Sequence, residues 1–284
     1  MMVEQEKKLV TELITRALVE DLGDGDHTSM ATIPESAIGK VKLLAKDIGI
    51  VAGVEVASMV FKQVDKNLKV NVLISDGERI FPGDVVMVIE GSSRSLLSAE
   101  RTALNFIQRM SGIATYTNSI VELIGDLHTK LLDTRKTTPG NRIVEKLAVR
   151  YGGGMNHRFG LYDMVMIKDN HVDFAGGIKN AIVSTHDYFK KTGKNLKVEI
   201  EVRNFKELNE VIAQGGVDRI MLDNFTPIDL KKALDLIGNK FESEASGGIT
   251  KETIRDYALT GVDYISVGAL THQIKSLDLS LVTY

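Results

Sequence analysis

Arg135 and Lys136 in "DTRKTTPGNR", Arg158 in "GGGMNHRFG" and Lys168 in "MVMIKDNH" bring strong anion ligands into a short span of chain. From Arg135 to Lys168 there are seven Lys/Arg against two acids, Glu145 and Asp163, although the whole chain has a formal net charge of -3. Arginine offers a planar fork to carboxylate or phosphate, and lysine a compact point charge. Several such groups converging on one place repel each other unless an anion sits among them. The expected ligand carries several charges: a pyrophosphate, a dicarboxylate, or both. Arg142, Lys146 and Arg150 recur at helical spacing in "PGNRIVEKLAVRYGG", a helix expected to start near Pro139, and are expected on its solvated face.

Glu199 and Glu201 alternate in "KVEIEV", so on a strand they share one face, and Asp223 follows about one repeat later. Glu201 and Asp223 are placed to hold Mg²⁺ or to accept from ribose hydroxyls, and their oxygen ligands suit Mg²⁺ better than Zn²⁺. Glu199 reads as a salt-bridge partner for a neighbouring cation. In "ASGGITKET", Ser246, Gly247 and Gly248 precede a helix with Thr250 as its expected N-cap, a place where backbone N–H groups grip phosphate. "SVGALTH" supplies a second glycine turn at Gly268 and Ala269. His157 is expected to donate to an anion, while the scattered His171 and His272 stay outside the site.

These residues need elements that gather them. Short β-rich runs recur from about residue 130: "KLLDT", "YDMVMIK", "LKVEIEV", "DRIMLDN", "KFESEAS" and "DYISVGA". Helix-compatible segments such as "FKELNEVIAQGG" and "TPIDLKKALDLIG" separate them. This alternation predicts a parallel α/β architecture, with "YGGGMNHRF" as a seventh strand. The polar residues end the strands, and in a barrel those ends converge on the mouth where active sites lie. Before this, "VEQEKKLVTELITRALVEDLG" reads as a helix stopped by Gly23, and two strand-rich stretches follow it. Their "PGD" turn suits a lipoyl-type carrier hairpin, but the central lysine is missing. "SLLSAERTALNFIQRMSGIATYTNSIVELI" reads as a long helical stretch with breaks expected at Ser98 and Gly112.

The 284 residues, 43% hydrophobic and 26% charged, suit a globular protein of one large or two moderate domains. With no cysteine there is neither a disulfide nor a thiolate metal site, and a reducing compartment is allowed. The charged, amphipathic start does not read as a signal peptide, and no apolar run reaches the roughly 18 residues of a membrane span. The slight net acidity argues against a nucleic-acid binder. A cytoplasmic enzyme is expected.

Over nearly the whole chain, the sequence resembles the quinolinate phosphoribosyltransferases, also called nicotinate-nucleotide pyrophosphorylases (carboxylating). "EDLGDGDHTS", "ERTALNFIQRMSGIAT", "DTRKTTPGNR", "VRYGGGMNHRFGLYDMVMIKDNH", "EIEV", "LDNF" and "SGGI" occur in that family's order. The resemblance implies an N-terminal α/β sandwich over residues 1–112 and an open seven-stranded, TIM-like α/β barrel over 113–274. The tail from about 275 would pack back on the sandwich. It implies transfer of phosphoribose from 5-phosphoribosyl 1-pyrophosphate to quinolinate, releasing pyrophosphate and CO2, with Mg²⁺ and in a homodimer. Arg135, His157, Arg158 and Lys168 would bind quinolinate beside Thr134 and Lys136, and Arg101 would enter from the partner chain. Lys136, Glu201 and Asp223 would be catalytic, the two acids addressing ribose and metal. Ser246, Gly247, Gly248, Gly268 and Ala269 would hold the 5′-phosphate. The rival readings are transfer to nicotinate or another ring acid, a Schiff-base lyase using Lys168, and a non-catalytic sensor of phosphoribosyl metabolites.

Overall fold

Two kinds of sheet follow from two kinds of sequence pattern. The computed structural model describes residues 2–283. In chain order it holds α1 (Glu4–Leu22), α2 (His27–Thr32), β1 (Ile38–Ala45), β2 (Gly49–Ile50), α3 (Val54–Val64), β3 (Lys69–Val72), β4 (Arg79–Ile80), β5 (Val85–Ser92) and α4 (Ser93–Ile124). Then come β6 (Lys130–Leu132), α5 (Arg142–Tyr151), β7 (Val165–Ile167), α6 (Asp169–Ala175), α7 (Ile178–Thr192), β8 (Val198–Val202), α8 (Phe205–Gln214) and β9 (Arg219–Asp223). The chain closes with α9 (Pro227–Ile237), β10 (Glu242–Ser246), α10 (Ile254–Ala258), β11 (Tyr264–Ser266), α11 (Ala269–His272) and β12 (Leu279–Thr283).

The chain forms two compact units. The described part of the first covers residues 2–119, 136–154 and 269–283, and the second covers 120–135 and 155–268.

In the first unit, an antiparallel sheet runs β12-β1-β5-β3. Strand β1 alternates, burying Val41, Leu43 and Ala45. Helix α1 ends at Gly23, whose φ of 53° suits a residue without Cβ. Helix α4 runs unbroken for 32 residues, so neither Ser98 nor Gly112 interrupts it. The Ser98 hydroxyl bonds Asp26 at 3.3 Å and leaves the helix intact. Gly112 is where the segment at Ile274–Lys275 approaches closest, and an added Cβ would strike the Lys275 carbonyl. Helix α5 departs from the expected solvated face. It starts at Arg142, with Pro139 in the turn before it. Lys146 is buried, Arg142 half-buried, and only Arg150 of the three cations is exposed, pairing with Glu6 at 2.8 Å. The helix buries seven consecutive residues, Ile143 to Val149, because it is packed all round. Among them, Glu145 accepts from Arg109 Nη2 at 2.9 Å and from the Thr138 N–H at 3.1 Å.

The second unit is built on a parallel sheet in the order β6-β11-β10-β9-β8-β7. All six β-rich runs expected after residue 130 form these strands. The seventh, "YGGGMNHRF", is reduced to a single parallel bridge between Leu132 and Met155. Its glycine run offers no side chains to pack and favours turns over an extended ladder. Asn204 caps α8 by accepting the Glu207 N–H at 3.0 Å, and Thr226 caps α9 ahead of Pro227. These caps follow directly on β8 and β9, leaving the last residues of both strands at the carboxyl end of the sheet.

Pairing register sorts the sheet's two faces. Glu199 pairs with Arg219 and Arg219 with Glu242, Glu201 with Met221, and Asp223 with Ser246. Glu244 pairs with Tyr264, and Met166 with Glu199. Paired residues of parallel strands point the same way, so all of these share one face. The opposite face carries Ile167, Ile200, Val202, Ile220, Leu222, Ala245 and Ile265, all buried. Aliphatic packing thus fixes the strands from one side, and the charged groups stand on the other. No described helix is long and apolar enough to cross a membrane.

Candidate active site

The charged face has an upper layer at the carboxyl ends of the strands. Lys168 follows β7, and its Nζ donates to Glu201 Oε2 at 2.8 Å. The lysine side chain is 44% exposed and the glutamate 10%, so the pair opens to solvent from one side. Asp223 ends β9. Burial raises its pKa, the Glu201 charge raises it further, and Lys168 pulls it back. Two carboxylates therefore share a small space with one ammonium.

Asn224 fixes this corner. Its φ of 58° is the only positive value at a non-glycine residue among the described residues. The turn lets its Nδ2 donate to Asp223 Oδ2 at 2.6 Å while its N–H donates to the Ser246 carbonyl at 2.8 Å. Gly247, at φ 94°, lies against the Asn224 side chain where a Cβ would collide. Gly248 follows at φ 64°. Gly247 is thus required by the close approach of two strand ends, and Gly248 by its positive φ alone. The helix behind it differs from expectation: α10 begins at Ile254 with Thr253 before it, and is five residues long. Thr250 opens a turn instead, accepting the Ile254 N–H at 2.9 Å. Phosphate binding here would fall to the glycine turn.

Arg158 and Arg135 form a second feature of the unit. Burial lowers the Arg158 pKa, and the neighbouring Arg135 charge lowers it further. Two guanidinium groups held close enough to repel favour an anion between them. Arg158 Nη1 is steadied by the Met164 carbonyl at 3.2 Å. Asp163 folds the following loop by accepting the Phe159 and Gly160 N–H groups at 2.6 and 2.8 Å.

Below lies a buried layer. His157 Nε2 is 2.9 Å from Glu199 and 3.4 Å from Glu244. Glu244 also pairs with Arg219 Nη1 at 2.9 Å. Both glutamates are fully buried. Burial lowers the His157 pKa, but Glu199 and Glu244 outweigh it and push it up to about 9. Burial and Glu244 raise that of Glu199; Glu244, despite its burial, is lowered by His157 and Arg219. His157 Nδ1 accepts the Arg158 N–H at 2.7 Å and so needs a lone pair there. The cluster's extra proton therefore sits on the Nε2 side, shared between the ring and Glu199. Two carboxylates, one guanidinium and that proton leave the cluster neutral, as burial demands. His157, expected to donate to an anion, is thus turned inward with both ring nitrogens engaged.

The second unit contains Thr134, Arg135, His157, Arg158, Lys168, Glu201, Asp223, Ser246, Gly247, Gly248 and Gly268. Lys136 and Ala269 are the chain neighbours of Arg135 and Gly268 but are grouped with the first unit, as is Arg101. Arg101 is exposed on α4. Sequence reasoning missed Arg219 and Glu244, and read Asn224 only as a polar residue ending the strand after Asp223. Alternation in "RIMLD" and "ESEAS" is the signal that puts Arg219 with Asp223 and Glu244 with Ser246.

Cations and acids gathered on one face of a parallel α/β sheet, at its carboxyl ends, define an enzyme that handles a small, multiply charged substrate. The chain belongs to the quinolinate phosphoribosyltransferase family: residues 26–111 match the family model of its N-terminal domain and residues 113–282 that of its C-terminal domain. It is 45% identical to quinolinate phosphoribosyltransferase [decarboxylating] 1b of Nicotiana tabacum, over 95% of this chain and 81% of that protein. It is 46% identical to the chloroplastic nicotinate-nucleotide pyrophosphorylase [carboxylating] of Arabidopsis thaliana, with the same two shares covered. The solved nicotinate-nucleotide pyrophosphorylase of Francisella tularensis superposes with a TM-score of 0.91 at 43% identity, covering 98% of this chain and 96% of that one.

Proposed function

We infer that the protein transfers the phosphoribosyl group of 5-phosphoribosyl 1-pyrophosphate to quinolinate with loss of CO2, giving nicotinate mononucleotide and pyrophosphate for NAD biosynthesis. The observation that carries this reading is the half-open Lys168–Glu201 pair, at 2.8 Å, with Asp223 at the carboxyl ends of β7 to β9, in the same unit as Arg135 and Arg158. The guanidinium pair suits a dicarboxylate, and the acids suit a centre that becomes positive.

Arg135, Arg158 and Lys168 bind the two carboxylates of quinolinate, with Thr134 and Lys136 beside them. The Gly247–Gly248 and Gly268–Ala269 turns and Ser246 receive the 5′-phosphate. As pyrophosphate leaves, ribose C1 becomes positive, and Glu201 and Asp223 offset that charge. The pyridine nitrogen attacks C1 and becomes a pyridinium. That positive ring accepts the electron pair left when the adjacent carboxylate departs as CO2. Lys168 must exchange Glu201 for a substrate carboxylate, which frees Glu201 for the ribose. Glu201 and Asp223 are hard oxygen donors of the kind Mg²⁺ takes alongside substrate phosphates, and they are the residues that would hold it. Bound there, the ion would neutralise charge on the departing pyrophosphate.

The single bridge at Met155 supports reading the sheet as an open seven-stranded barrel with that segment as its seventh member. The catalytic unit in this reading is a homodimer in which Arg101 serves the neighbouring chain's site. Its exposure supports this, as does its position on α4 beside Thr102 and Asn105, which line a cleft of about 520 Å³. Arg101→Ala and Lys136→Ala homodimers should each be nearly inactive. A mixed dimer has one intact site, so random re-association of equal amounts restores up to about a quarter of wild-type activity. No recovery after verified subunit exchange would remove Arg101 from the neighbour's site.

The test of the activity is an assay with quinolinate, the sugar donor and Mg²⁺ that follows CO2 release. Turnover of nicotinate with none of quinolinate would replace this reading with the related transferase.

A further inference from the structure

The buried charge cluster is more than the packing of this sheet requires. Glu199, Arg219 and Glu244 come from three adjacent strands, and His157 comes from the segment after the Met155 bridge. Buried ion pairs are often no more stabilising than apolar residues of the same volume, so their presence asks for another reason. A metal centre is one candidate, since donor atoms of His157, Glu199 and Glu244 all lie within 4.8 Å of one another. Arg219 argues against it. Its guanidinium stands 2.9 Å from Glu244 and already supplies the cation, and a dication there would meet it at close range.

We propose that Glu199, Glu244 and Arg219 form a clamp that holds His157 as a fixed post for Arg158, making His157 a positioning residue for the substrate-binding cation rather than a substrate ligand. This rests on the reading of Arg158 as a quinolinate ligand. The chain of contacts is continuous. Arg219 is held by Glu242 at 3.0 Å and lies over the Tyr264 ring with 3.9 Å to its centroid. Held there, it fixes Glu244, and Glu244 with Glu199 fixes the imidazole edge. Glu199 Oε2 stands 2.9 Å from His157 Nε2, and charge and the shared proton hold the two together.

The other edge of the ring receives the Arg158 N–H. The His157 N–H meanwhile donates to Asp133 Oδ1 at 2.8 Å, and Asn156 Nδ2 to Asp133 Oδ2 at 2.6 Å. Asp133 is fully buried and stands two residues before Arg135. The peptide linking His157 to Arg158 is thus tied to the ring, and the peptide before it is tied, through Asp133, to the Arg135 segment. Two guanidinium groups that repel will hold a common anion well only if their backbones cannot drift apart, and this arrangement prevents that.

The test combines a double-mutant cycle with hydrogen exchange, on wild type first shown to turn over quinolinate. Without that turnover the functional reading fails, whatever the clamp does. Glu199→Gln and Glu244→Gln are made with and without Arg158→Ala, and each variant is checked for cooperative melting. The clamp predicts that either glutamine raises the KM for quinolinate by about tenfold while kcat and the KM for the sugar donor move less than about threefold. In the Arg158→Ala background the same substitutions should change the quinolinate KM less than about twofold, because the group they position is gone. Exchange of the Arg158 amide should quicken by about tenfold while the strand amides of β8 to β10 keep their protection. Equal effects in both backgrounds, equal rises in both KM values, or an unchanged Arg158 amide would overturn the clamp. If Glu244→Gln does not fold, Glu199→Gln carries the cycle alone, since it leaves Arg219 both of its acids.

Discussion

The upper and lower charged layers stand on the same face of the same sheet, yet they balance their charges differently. Below, Glu199, Glu244, Arg219 and His157 are buried and neutralise one another. Above, Lys168 serves both Glu201 and the neighbouring Asp223, and in the same unit the Arg135 charge lowers the Arg158 pKa. Burial explains the difference. A closed layer must be neutral, because an uncompensated charge there lacks both water and a partner. An open layer can keep an imbalance that a ligand completes, and that imbalance is what makes it a site. Substitutions above should therefore change chemistry and binding with little change in stability, and substitutions below should disturb folding as well.

The largest effect is expected at Asp223. Asp223→Asn keeps the shape and the Asn224 contact region but removes the charge that would oppose the developing positive ribose. Turnover should fall by about 10²–10³-fold, the range for losing one preorganised electrostatic group. Quinolinate binding should stay nearly intact or improve, because a carboxylate beside a dicarboxylate repels it. Rate measurements across a Mg²⁺ titration, with calorimetry for quinolinate, check both halves. Normal turnover would place Asp223 outside the chemistry.

Arg158 and Lys168 sharpen the comparison within the upper layer. A charge-assisted hydrogen bond is worth about 1.5–3 kcal/mol, or about 10–150-fold in affinity. Arg158→Ala should approach the upper end, since its guanidinium is held beside Arg135 and gains most from an anion. Lys168→Ala should weaken quinolinate less, because Lys168 gives up its 2.8 Å bond to Glu201 when it takes a carboxylate. Calorimetry on both variants tests the order, and affinity for the sugar donor should change far less in each. Unchanged quinolinate affinity in both would move the dicarboxylate elsewhere.

The upper layer was readable in the sequence, and the lower one only at Glu199 and His157, for a physical reason. A residue at a strand's end is marked by the end of an aliphatic run, so Lys168, Glu201, Asp223 and Ser246 stood out one strand at a time. Arg219 and Glu244 gain meaning only when the register puts Arg219 opposite Glu199, with Glu244 on the same face of the next strand, and His157 joins the two glutamates; register is a property of two strands at once. The same reasoning covers Met155, whose single bridge leaves no periodic run to read. Lys146 was misjudged because charge spacing on a helix says which residues share a face, not what packs on that face. Gly112 was misjudged because a glycine required by a neighbouring backbone looks the same in sequence as one that ends a helix.

The smallest effect separates the layers by pH. The proton shared by His157 and the carboxylates is held more tightly in the folded protein, where the ring's pKa stands at about 9, than in the unfolded chain, where a histidine titrates near about 6.5. A pKa raised by folding contributes stability that is complete below the unfolded value and is lost as pH rises through the folded one. The lower layer should therefore contribute fully at pH 6 and progressively less between about pH 7 and pH 9. Other groups also titrate in this range, so the quantity to read is a difference. Wild type and Glu199→Gln are melted at intervals from pH 6 to pH 10. Glu199 is the carboxylate nearest His157 Nε2, so removing its charge should bring the folded pKa back towards the unfolded one and flatten the decline in Tm. Lys168→Ala, in the upper layer and in contact with none of the four, should decline in parallel with wild type. If Glu199→Gln also runs parallel to wild type, the proton is not held by this cluster, and the neutral lower layer would have to be balanced in another way.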